Sequence, residues 1–316
     1  MQVQRRKIFI SESDRFTPEA LMFLKTFAEV SFGDGSKEQL KDAFLNSDVV
    51  WIRLANKIDR TFFSSDMKCR VIACAVTGID HINLSDCHEF GVQIVCLKGE
   101  TEFLKEVRAT AELTMGLMLA LIRKIPQASA SVKSGIWNRD LFAGSELFKK
   151  TIGIVGLGRL GLIVAEYAKS FGMSVLAYDK HQNFPSDIQK LSSLTELCSL
   201  ADVISIHLSY DDSTKEIFDS TCFNAMKCSA VLINTARGGI VDEKALLLAL
   251  ESKKIRGAAL DVLNGEPGIN ESHPLVQYAI KNDNLLIVPH IGGNTPESFE
   301  KTELFIAKKI QSILAL

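Results

Sequence analysis

A glycine-rich turn after residue 155 constrains the fold of this chain more than any other stretch. The apolar run Thr151 to Val155 suits a buried parallel strand, and the residues that follow suit a helix. Three glycines lie between the two, Gly156, Gly158 and Gly161. This spacing gives a tight turn, a bare backbone that a pyrophosphate can approach, and a close helix–strand contact. The helix predicted at 162–171 would hold the phosphates through free N–H groups and its dipole.

An acidic residue at the end of the next apolar run supports this interpretation. The run Ser174 to Tyr178 is followed by Asp179, where a dinucleotide-binding unit needs a carboxylate to accept the ribose hydroxyls. A glycine-rich turn with an incidental Asp is the alternative, which this strand–turn–helix–strand context disfavours. We expect NAD rather than NADP, because Asp179 would repel the 2′-phosphate. Lys180 and His181 weaken the expected preference for NAD, since a neighbouring cation can accommodate the 2′-phosphate.

Composition excludes several classes of partner. The 316 residues are 47% hydrophobic and 23% charged, which is enough for two domains with separate cores. A net charge of −2 provides no basic field for nucleic acid or an anionic membrane, so we expect neither partner. No apolar run approaches a membrane span, and the first residues lack a signal-peptide core. Seven scattered cysteines without metal-ligand spacing predict reduced thiols, a cytoplasmic protein and no metal site.

Alternating strand and helix patterns predict an α/β protein with two doubly wound parallel-sheet domains. In the first domain we predict strands at 7–10, 29–32, 49–53, 71–75 and 92–96, and helices at 18–27, 37–45, 61–67 and 83–90. In the second we predict strands at 151–155, 174–178, 203–207, 230–234, 257–262 and 285–288, with a helix at 242–253. A last, amphipathic helical element is predicted from Asn294 to Leu316, with Pro296 in its first turn.

An apolar helix is predicted at 109–123, and Pro126 should end it. Glu112 interrupts the apolar residues, and the segment is too short to span a membrane. We therefore expect this helix to be buried between domains or subunits.

Side chains suited to acid–base chemistry follow three predicted strands of the second sheet. Arg237 precedes two glycines, and its planar fork suits a carboxylate or a 2-oxo acid. Asp261 and Glu266 follow the next strand, and His290 follows the one after. Taken singly, His290 is more often a structural residue, but ligands collect at the carboxyl ends of such strands. Together these groups would supply a proton carrier, its orienting carboxylate and a substrate clamp for hydride transfer.

Two strand ends of the first sheet carry residues that we assign to the substrate. Arg53 closes one predicted strand, with a surface ion pair as its alternative role. The turn formed by Val76, Thr77 and Gly78 follows another strand, and its successive N–H groups could bind an anion.

Four segments resemble, in this order, the signature blocks of the D-isomer-specific 2-hydroxyacid dehydrogenases, the family that includes phosphoglycerate dehydrogenase: residues 151–161, 234–241, 257–267 and 289–293. Further similarity at 76–84, 111–126 and 137–147 extends the resemblance over nearly the whole chain. It implies a Rossmann NAD-binding domain, 101–291, inserted into a flavodoxin-like substrate domain, 1–100 and 292–316. It also implies a homodimer formed through the Rossmann domains, which suits the apolar helix at 109–123.

The resemblance implies a role for each site residue. Arg237 would bind the substrate carboxylate and carbonyl, His290 would donate and accept the proton, and Glu266 would pair with His290. The turn at Val76 to Gly78 resembles the loop that binds the substrate carboxylate. Beside the glycine turn and Asp179, the cofactor residues implied are Arg159, Leu160, His207, Thr235, Ala236, Asp261 and Gly293. For His207, a structural role near the cofactor is the preferred interpretation.

Some positions depart from the family pattern. Val76 stands where many members have Gly, Asn83 where Asp is common, and Lys149 where a Gly is usual. The segment 98–108 is longer than in the commoner members, so we expect a remodelled wall near the substrate. Its cations Lys98, Lys105 and Arg108 could form a second anion site, although such a charged run is more often a solvated face.

The resemblance thus implies an NAD-dependent oxidoreductase for a D-2-hydroxy acid and its 2-oxo acid. A phosphoglycerate dehydrogenase-like substrate and a hydroxypyruvate or glyoxylate reductase-like substrate both remain open. The alternative is an NAD(H)-responsive binding protein without metabolic turnover, as in the related corepressors. A formate-type dehydrogenase is disfavoured, because those relatives carry Gln where Glu266 stands here.

Overall fold

The computed structural model describes residues 5–180 and 185–314 of the chain, so His181 lies outside the described residues. The chain forms two units: unit 1 extends to Val107 and resumes at Asn294, and unit 2 is Arg108–Gly293. Both boundaries lie further along the chain than the predicted ones, after residues 100 and 291. Each unit is built on its own parallel sheet.

The strands are β1 (Arg6–Ile10), β2 (Ala28–Phe32), β3 (Val49–Trp51), β4 (Val71–Ala73), β5 (Gln93–Val95), β6 (Thr151–Val155), β7 (Ser174–Tyr178), β8 (Gln189–Lys190), β9 (Val203–Ile206), β10 (Val231–Asn234), β11 (Gly257–Leu260) and β12 (Leu285–Ile287). The α-helices are α1 (Pro18–Lys25), α2 (Lys37–Asn46), α3 (Leu84–Glu89), α4 (Thr101–Leu104), α5 (Ala109–Ile122), α6 (Ile125–Lys133), α7 (Arg159–Ser170), α8 (Leu194–Leu200), α9 (Ser220–Ala225), α10 (Glu243–Glu251), α11 (Pro274–Lys281) and α12 (Pro296–Leu314).

Unit 1 has a five-stranded parallel sheet in the order β2-β1-β3-β4-β5, the flavodoxin-like arrangement. Strands β3 and β4 are buried along their whole length, as expected for parallel strands covered on both faces. The last helix, α12, completes this unit. Its residues Ile306 and Ile310 are fully buried and belong to the same core cluster as Ile8 and Ile10 of β1.

Unit 2 has a seven-stranded parallel sheet in the order β12-β11-β10-β9-β6-β7-β8. This is the doubly wound Rossmann order with a seventh strand, and strands β9, β10 and β11 are wholly buried. Two clusters of buried apolar residues form its cores. The two doubly wound parallel sheets predicted from the sequence are therefore confirmed.

The predicted helix at 61–67 is wrong. Only a single 3-10 turn forms, at Arg60–Phe62, where the Asp59 side chain accepts the N–H of Thr61. Ser64, Ser65 and Asp66 follow, and such residues favour turns because their side chains compete for backbone hydrogen bonds.

The apolar helix α5 ends before Pro126 but not because of it. Lys124 adopts a left-handed conformation, with φ of +54°, and a new helix, α6, begins at the next residue. Pro126 lies in the first turn of α6, where an N–H has no helical partner to lose. Met115 and Met118 of α5 join the core cluster of unit 2 together with Ile152 and Ile154 of β6, so much of this helix is covered by its own unit. Within the described ranges no helix has the length and apolar character needed to cross a membrane.

Candidate active site

The glycine turn between β6 and α7 has the geometry that its spacing predicts. Gly156 has φ of +94°, and a Cβ there would lie 2.9 Å from the carbonyl carbon of His207. A Cβ on Gly161 would lie 2.2 Å from the carbonyl oxygen of Gly156, so α7 packs directly on the turn. A Cβ on Gly158 would meet no described atom within 4 Å. The first N–H groups of α7 thus begin beside open space at Gly158, which fits a pyrophosphate group.

Polar side chains complete this cradle. The Asp179 carboxylate, directly after β7, accepts the N–H of Leu157 in the turn at 2.7 Å. A carboxylate held beside the turn fits the ribose of NAD and would oppose the extra phosphate of NADP. Arg159 and Leu160, the first residues of α7, are half-buried, and burial lowers the pKa of the Arg159 guanidinium from its ordinary value. The guanidinium stays charged at neutral pH, because the ordinary value is so high.

His207 follows β9 next to this turn. Its Nε2 lies 2.8 Å from the Ser205 hydroxyl, whereas its Nδ1 is buried without a hydrogen-bond partner among the described residues. Burial lowers the pKa of His207 to about 3, so the ring is neutral at physiological pH. A neutral ring in this place is compatible with a structural role beside the cofactor and is unsuited to proton transfer near pH 7.

The turn after β10 carries Arg237 on a rigid scaffold. The Asn234 side chain accepts the N–H of Ala236 and donates to the carbonyl of Arg237, both at 3.0 Å. Thr235 shares a buried hydrogen bond of 2.8 Å with Thr114 of α5. Asn234 and Thr114 were not predicted from the sequence as supports of the site, although an Asn before a turn is a recognisable signal for the first.

Asp261 fixes the backbone around His290. Its carboxylate oxygens accept the N–H groups of Ile291 at 2.6 Å and Gly292 at 2.9 Å, and its carbonyl accepts the N–H of His290 at 2.8 Å. His290 has φ of +51°, a left-handed conformation that is uncommon for a residue with a side chain. Asp261 is only 1% exposed, and this burial outweighs the two N–H bonds and raises the pKa of Asp261 to about 6. Gly293, the last residue of unit 2, follows this anchored segment.

His290 and Glu266 form a close pair. Nδ1 of His290 lies 3.0 Å from Oε1 of Glu266, and the two side chains are 27% and 29% exposed. Because an ionised carboxylate can only accept, the hydrogen bond places the proton on Nδ1 of the ring. The ring is thereby oriented with Nε2 as the nitrogen that can exchange a proton elsewhere. Glu266, His290 and Arg237 all follow neighbouring parallel strands of one sheet, at the edge where their carboxyl ends meet.

The predicted substrate residues lie in unit 1. Arg53 donates to the Glu303 carboxylate at 2.8 Å and to the carbonyl of Asp14 at 2.6 Å, and its guanidinium lies 4.9 Å from the ring centre of Phe299. Arg53 is thus paired with a carboxylate that is only 1% exposed, rather than in a surface ion pair, and its role toward a substrate stays a prediction. Thr77 is exposed at the end of β4, between the half-buried Val76 and Gly78.

All but the last residue of the long segment before α5 belongs to unit 1. It forms α4, whose Phe103 stacks on Phe305 of α12 with ring centres 3.9 Å apart. Lys105 forms an exposed ion pair with Glu102, and Arg108, the first residue of unit 2, pairs with Glu166. Paired, exposed cations favour a solvated face over a second anion site. In the described part of the chain, no three or more His, Cys, Asp or Glu side chains are grouped so that they could hold a metal ion.

Comparison with known proteins identifies relatives of this arrangement. Residues 115–292 match the sequence model described as "D-isomer specific 2-hydroxyacid dehydrogenase, NAD binding domain". The chain is 36% identical over 309 residues to D-3-phosphoglycerate dehydrogenase of Methanocaldococcus jannaschii, covering 96% of this chain and 56% of that protein. It is 32% identical over 290 residues to hydroxypyruvate reductase of Thermotoga maritima, covering 92% of each. The chain thus spans about half the length of the phosphoglycerate dehydrogenase and nearly all of the reductase.

Solved structures share the fold over the same extent. The crystal structure of D-lactate dehydrogenase from Aquifex aeolicus, complexed with NAD and lactic acid, is similar with a TM-score of 0.84 at 26% identity. The similarity covers 98% of this chain and 96% of that chain. The family match includes the glycine turn, Arg237, Glu266 and His290, so the residues that the geometry singles out lie within the matched segment. The chain belongs to the D-isomer specific 2-hydroxyacid dehydrogenase family, and unit 2 carries its NAD-binding domain.

Proposed function

We propose that this protein is an NAD-dependent oxidoreductase that transfers a hydride between NAD(H) and a D-2-hydroxy acid and its 2-oxo acid. The observation that carries the proposal is the His290–Glu266 pair at 3.0 Å, which follows strands of the same sheet as the pyrophosphate cradle. Family membership and the relatives named as phosphoglycerate dehydrogenase and hydroxypyruvate reductase support it.

The chemistry divides among three side chains. Bound NADH supplies the hydride for reduction of the 2-oxo acid. Arg237 binds the substrate carboxylate and carbonyl with its two-pronged guanidinium. His290 gives the proton on Nε2 to the alkoxide oxygen that develops, and takes it back when the hydroxy acid is oxidised. Glu266 keeps the ring oriented and stabilises the imidazolium form through its negative charge.

We assign the cofactor to the edge of the unit 2 sheet. The N–H groups of the Gly156 to Gly161 turn, with Arg159 and Leu160, would hold the pyrophosphate, and Asp179 would bind the ribose. The remaining residues that we assign to the nicotinamide half or its surroundings are His207, Thr235, Ala236, Asp261 and Gly293. This arrangement favours NAD over NADP because of the Asp179 charge.

Unit 1 would supply substrate contacts. Its N–H-rich turn at Val76 to Gly78 is proposed to bind the substrate carboxylate, and Arg53 is a further candidate. Two substrate classes fit this proposal. One is a phosphoglycerate-like acid, and the other is hydroxypyruvate or glyoxylate. Under this proposal unit 1 is the substrate domain and unit 2 the NAD-binding domain.

A homodimer is proposed from the surface that follows α5. Apolar side chains are exposed there, including Trp137, which is 88% exposed. The others are Ile125, Val132, Ile136 and Leu141, and a groove of about 570 Å³ is lined by Leu119, Arg123, Ile125, Ala128, Ser129 and Val132. Exposed apolar patches of this kind mark association surfaces.

A cytoplasmic location is proposed because all seven cysteines are free thiols, six of them buried.

The decisive experiment is NADH oxidation with a panel of 2-oxo acids, phosphorylated and unphosphorylated. We expect saturable turnover with at least one of them, and the preferred acid would identify the side chain. NADH binding detected by fluorescence, with no turnover of any acid in either direction, would instead favour the NAD(H)-responsive binding protein.

A further inference from the structure

A second histidine–carboxylate pair, Glu243 and His273, lies behind the loop that carries Glu266. Oε1 of Glu243 accepts the N–H of Asn264, two residues before Glu266, at 2.7 Å. The other oxygen, Oε2, lies 3.3 Å from Nε2 of His273. The side chains of His273 and Glu243 are only 16% and 18% exposed, so both are largely withdrawn from water. Glu243 therefore contacts the backbone of the Glu266 loop with one oxygen and a largely buried histidine with the other.

The elements around Glu243 make it a rigid support. It is the first residue of α10, whose N-cap Asp242 accepts the N–H groups of Lys244 and Ala245. His273 is the N-cap residue of α11. A capped helix end fixes the Glu243 backbone, and the histidine contact fixes its side chain.

The opposite side of the loop touches the turn that carries Arg237. A Cβ on Gly238 would lie 2.1 Å from the carbonyl carbon of Leu263, so the two backbones are in direct contact. The segment from Leu263 to Glu266 is thus held between the Arg237 turn and the Glu243 carboxylate.

Burial and a nearby like charge both disfavour the ionised form of Glu243. Burial raises the pKa of Glu243, and the like charge of Glu266 raises it further, while the Asn264 N–H and His273 lower it. The ionisable groups facing Glu243 are accordingly His273 and Glu266, and those facing Glu266 are His290, Asp261 and Glu243.

We propose that Glu243, held by His273, is a positioning residue that keeps Glu266 against Nδ1 of His290 and so holds the His290 ring in its Nδ1–H tautomer. Glu243 acts through the Asn264 N–H and touches neither substrate nor cofactor in this scheme. The inference rests on the function proposed for Glu266 and His290 and deepens it.

The test is the tautomer of His290, read by ¹⁵N NMR of histidine-labelled full-length protein without substrate or NADH, at a pH where the ring is neutral. His290→Gln identifies the His290 signals among the six histidines. In Glu243→Ala we expect the ratio of Nδ1–H to Nε2–H tautomer to fall about fivefold, the factor corresponding to one hydrogen bond of average net strength. Glu243→Gln keeps an acceptor for Asn264 and should restore most of the ratio. Glu251→Ala, at the exposed end of α10, is the matched control and should leave it unchanged.

A double-mutant cycle with Glu266→Ala separates positioning from a general structural effect. If Glu243 acts through Glu266, adding Glu243→Ala to Glu266→Ala should change the ratio no further. Additive effects in the cycle, or a wild-type ratio in folded Glu243→Ala, would overturn the proposal.

Should Glu243→Ala fail to fold, His273→Phe keeps the ring volume and removes the nitrogen. We expect it to lower the ratio about twofold, less than the loss of a whole hydrogen bond, and an unchanged ratio would again overturn the inference.

Turnover gives an independent readout. In Glu243→Ala, kcat for reduction should fall while KM for NADH stays near the wild-type value, because the cofactor cradle is untouched. Absence of turnover in the wild-type protein would contradict the proposed function but would leave the tautomer result, obtained without substrate, standing on its own.

Discussion

Nδ1 of His290 faces Oε1 of Glu266 at 3.0 Å, and this contact fixes which ring nitrogen can exchange a proton with a substrate. The partner carboxylate lies on the loop after β11 and the ring on the segment after β12, so two adjacent parallel strands bring the pair together. The His290 backbone is itself held in a left-handed conformation by Asp261. The ring direction is therefore determined from both ends.

Glu266→Gln should shift the pH dependence of both reaction directions. Reduction needs the imidazolium as donor and should decline as pH rises, whereas oxidation needs the neutral ring and should decline as pH falls. Removing the Glu266 charge disfavours the charged ring, so both limbs should move to lower pH. Single-turnover NADH oxidation across pH measures this, and an unmoved limb would contradict the pairing.

His290→Ala should lower the reduction rate by about 10² to 10⁴, the range expected for loss of a general acid–base group. The dissociation constant for NADH, measured by fluorescence, should change little, because His290 is not part of the pyrophosphate cradle. His88→Ala, at an exposed position in unit 1, is the control and should retain full activity. A His290→Ala variant that loses stability but keeps near-wild-type activity would assign the ring a purely structural role.

Arg237→Lys should keep the fold and the NADH affinity while losing most activity. Lysine retains the charge but not the planar fork that aligns a 2-oxo acid for hydride transfer. Thermal melting and NADH titration check the first two expectations, and steady-state kinetics check the third. A kcat/KM near that of the wild type would remove Arg237 from the site.

NADH should support a higher kcat/KM than NADPH. The Asp179 carboxylate lies beside the glycine turn, where it would oppose the 2′-phosphate of NADP. In Asp179→Ser the preference should weaken, since the like charge is gone while a hydroxyl can still contact the ribose. A wild-type preference for NADPH would show that the role assigned to Asp179 is wrong.

Asp261 should make folding stability fall as pH rises through the mildly acidic range. Its folded-state pKa of about 6 lies above the ordinary 3.8, so the folded protein binds that proton more tightly than the unfolded chain does. The stabilisation is present below about pH 4 and is lost as pH rises through about 6. Two pKa units correspond to about 3 kcal/mol of unfolding free energy.

Asp261→Asn tests this with urea unfolding from pH 4 to pH 7. The amide cannot ionise and has one oxygen for two N–H donors, so the variant should be less stable by roughly 1–3 kcal/mol at pH 4. Its deficit relative to the wild type should shrink as pH rises, because only the wild type loses the Asp261 contribution. A deficit of constant size across this range would mean that Asp261 is ionised throughout.

The sequence predicted what local patterns encode. The spacing of Gly156, Gly158 and Gly161 marks one turn, and the observed φ of Gly156 and the contact of Gly161 follow from that turn alone. The contacts that support the site join residues far apart in the chain, such as Thr114 with Thr235 or Glu243 with Asn264. No periodicity within either segment specifies such a pair, since it forms only when the strands take their order in the sheet.

Local signals also failed where two helices meet. Pro126 ends a helical pattern in sequence terms, yet a left-handed residue at Lys124 allows it to start a new helix. Proline disfavours the helical conformation for the residue before it, yet that residue, Ile125, is the first residue of α6. The helix predicted at 61–67 does not form, because the side chains of that segment that favour turns outweigh its apolar pattern.

The return of the chain to unit 1 through α12 has a consequence for biosynthesis. Unit 2 is one continuous segment, whereas the core around β1 lacks Ile306, Ala307 and Ile310 until residues near 310 have left the ribosome. A nascent chain can therefore fold the Rossmann sheet of unit 2 before α12 is available to cover β1 of unit 1. During that interval the apolar surface of β1 needs protection from aggregation, so the core of unit 1 can be completed only after unit 2 has been synthesised.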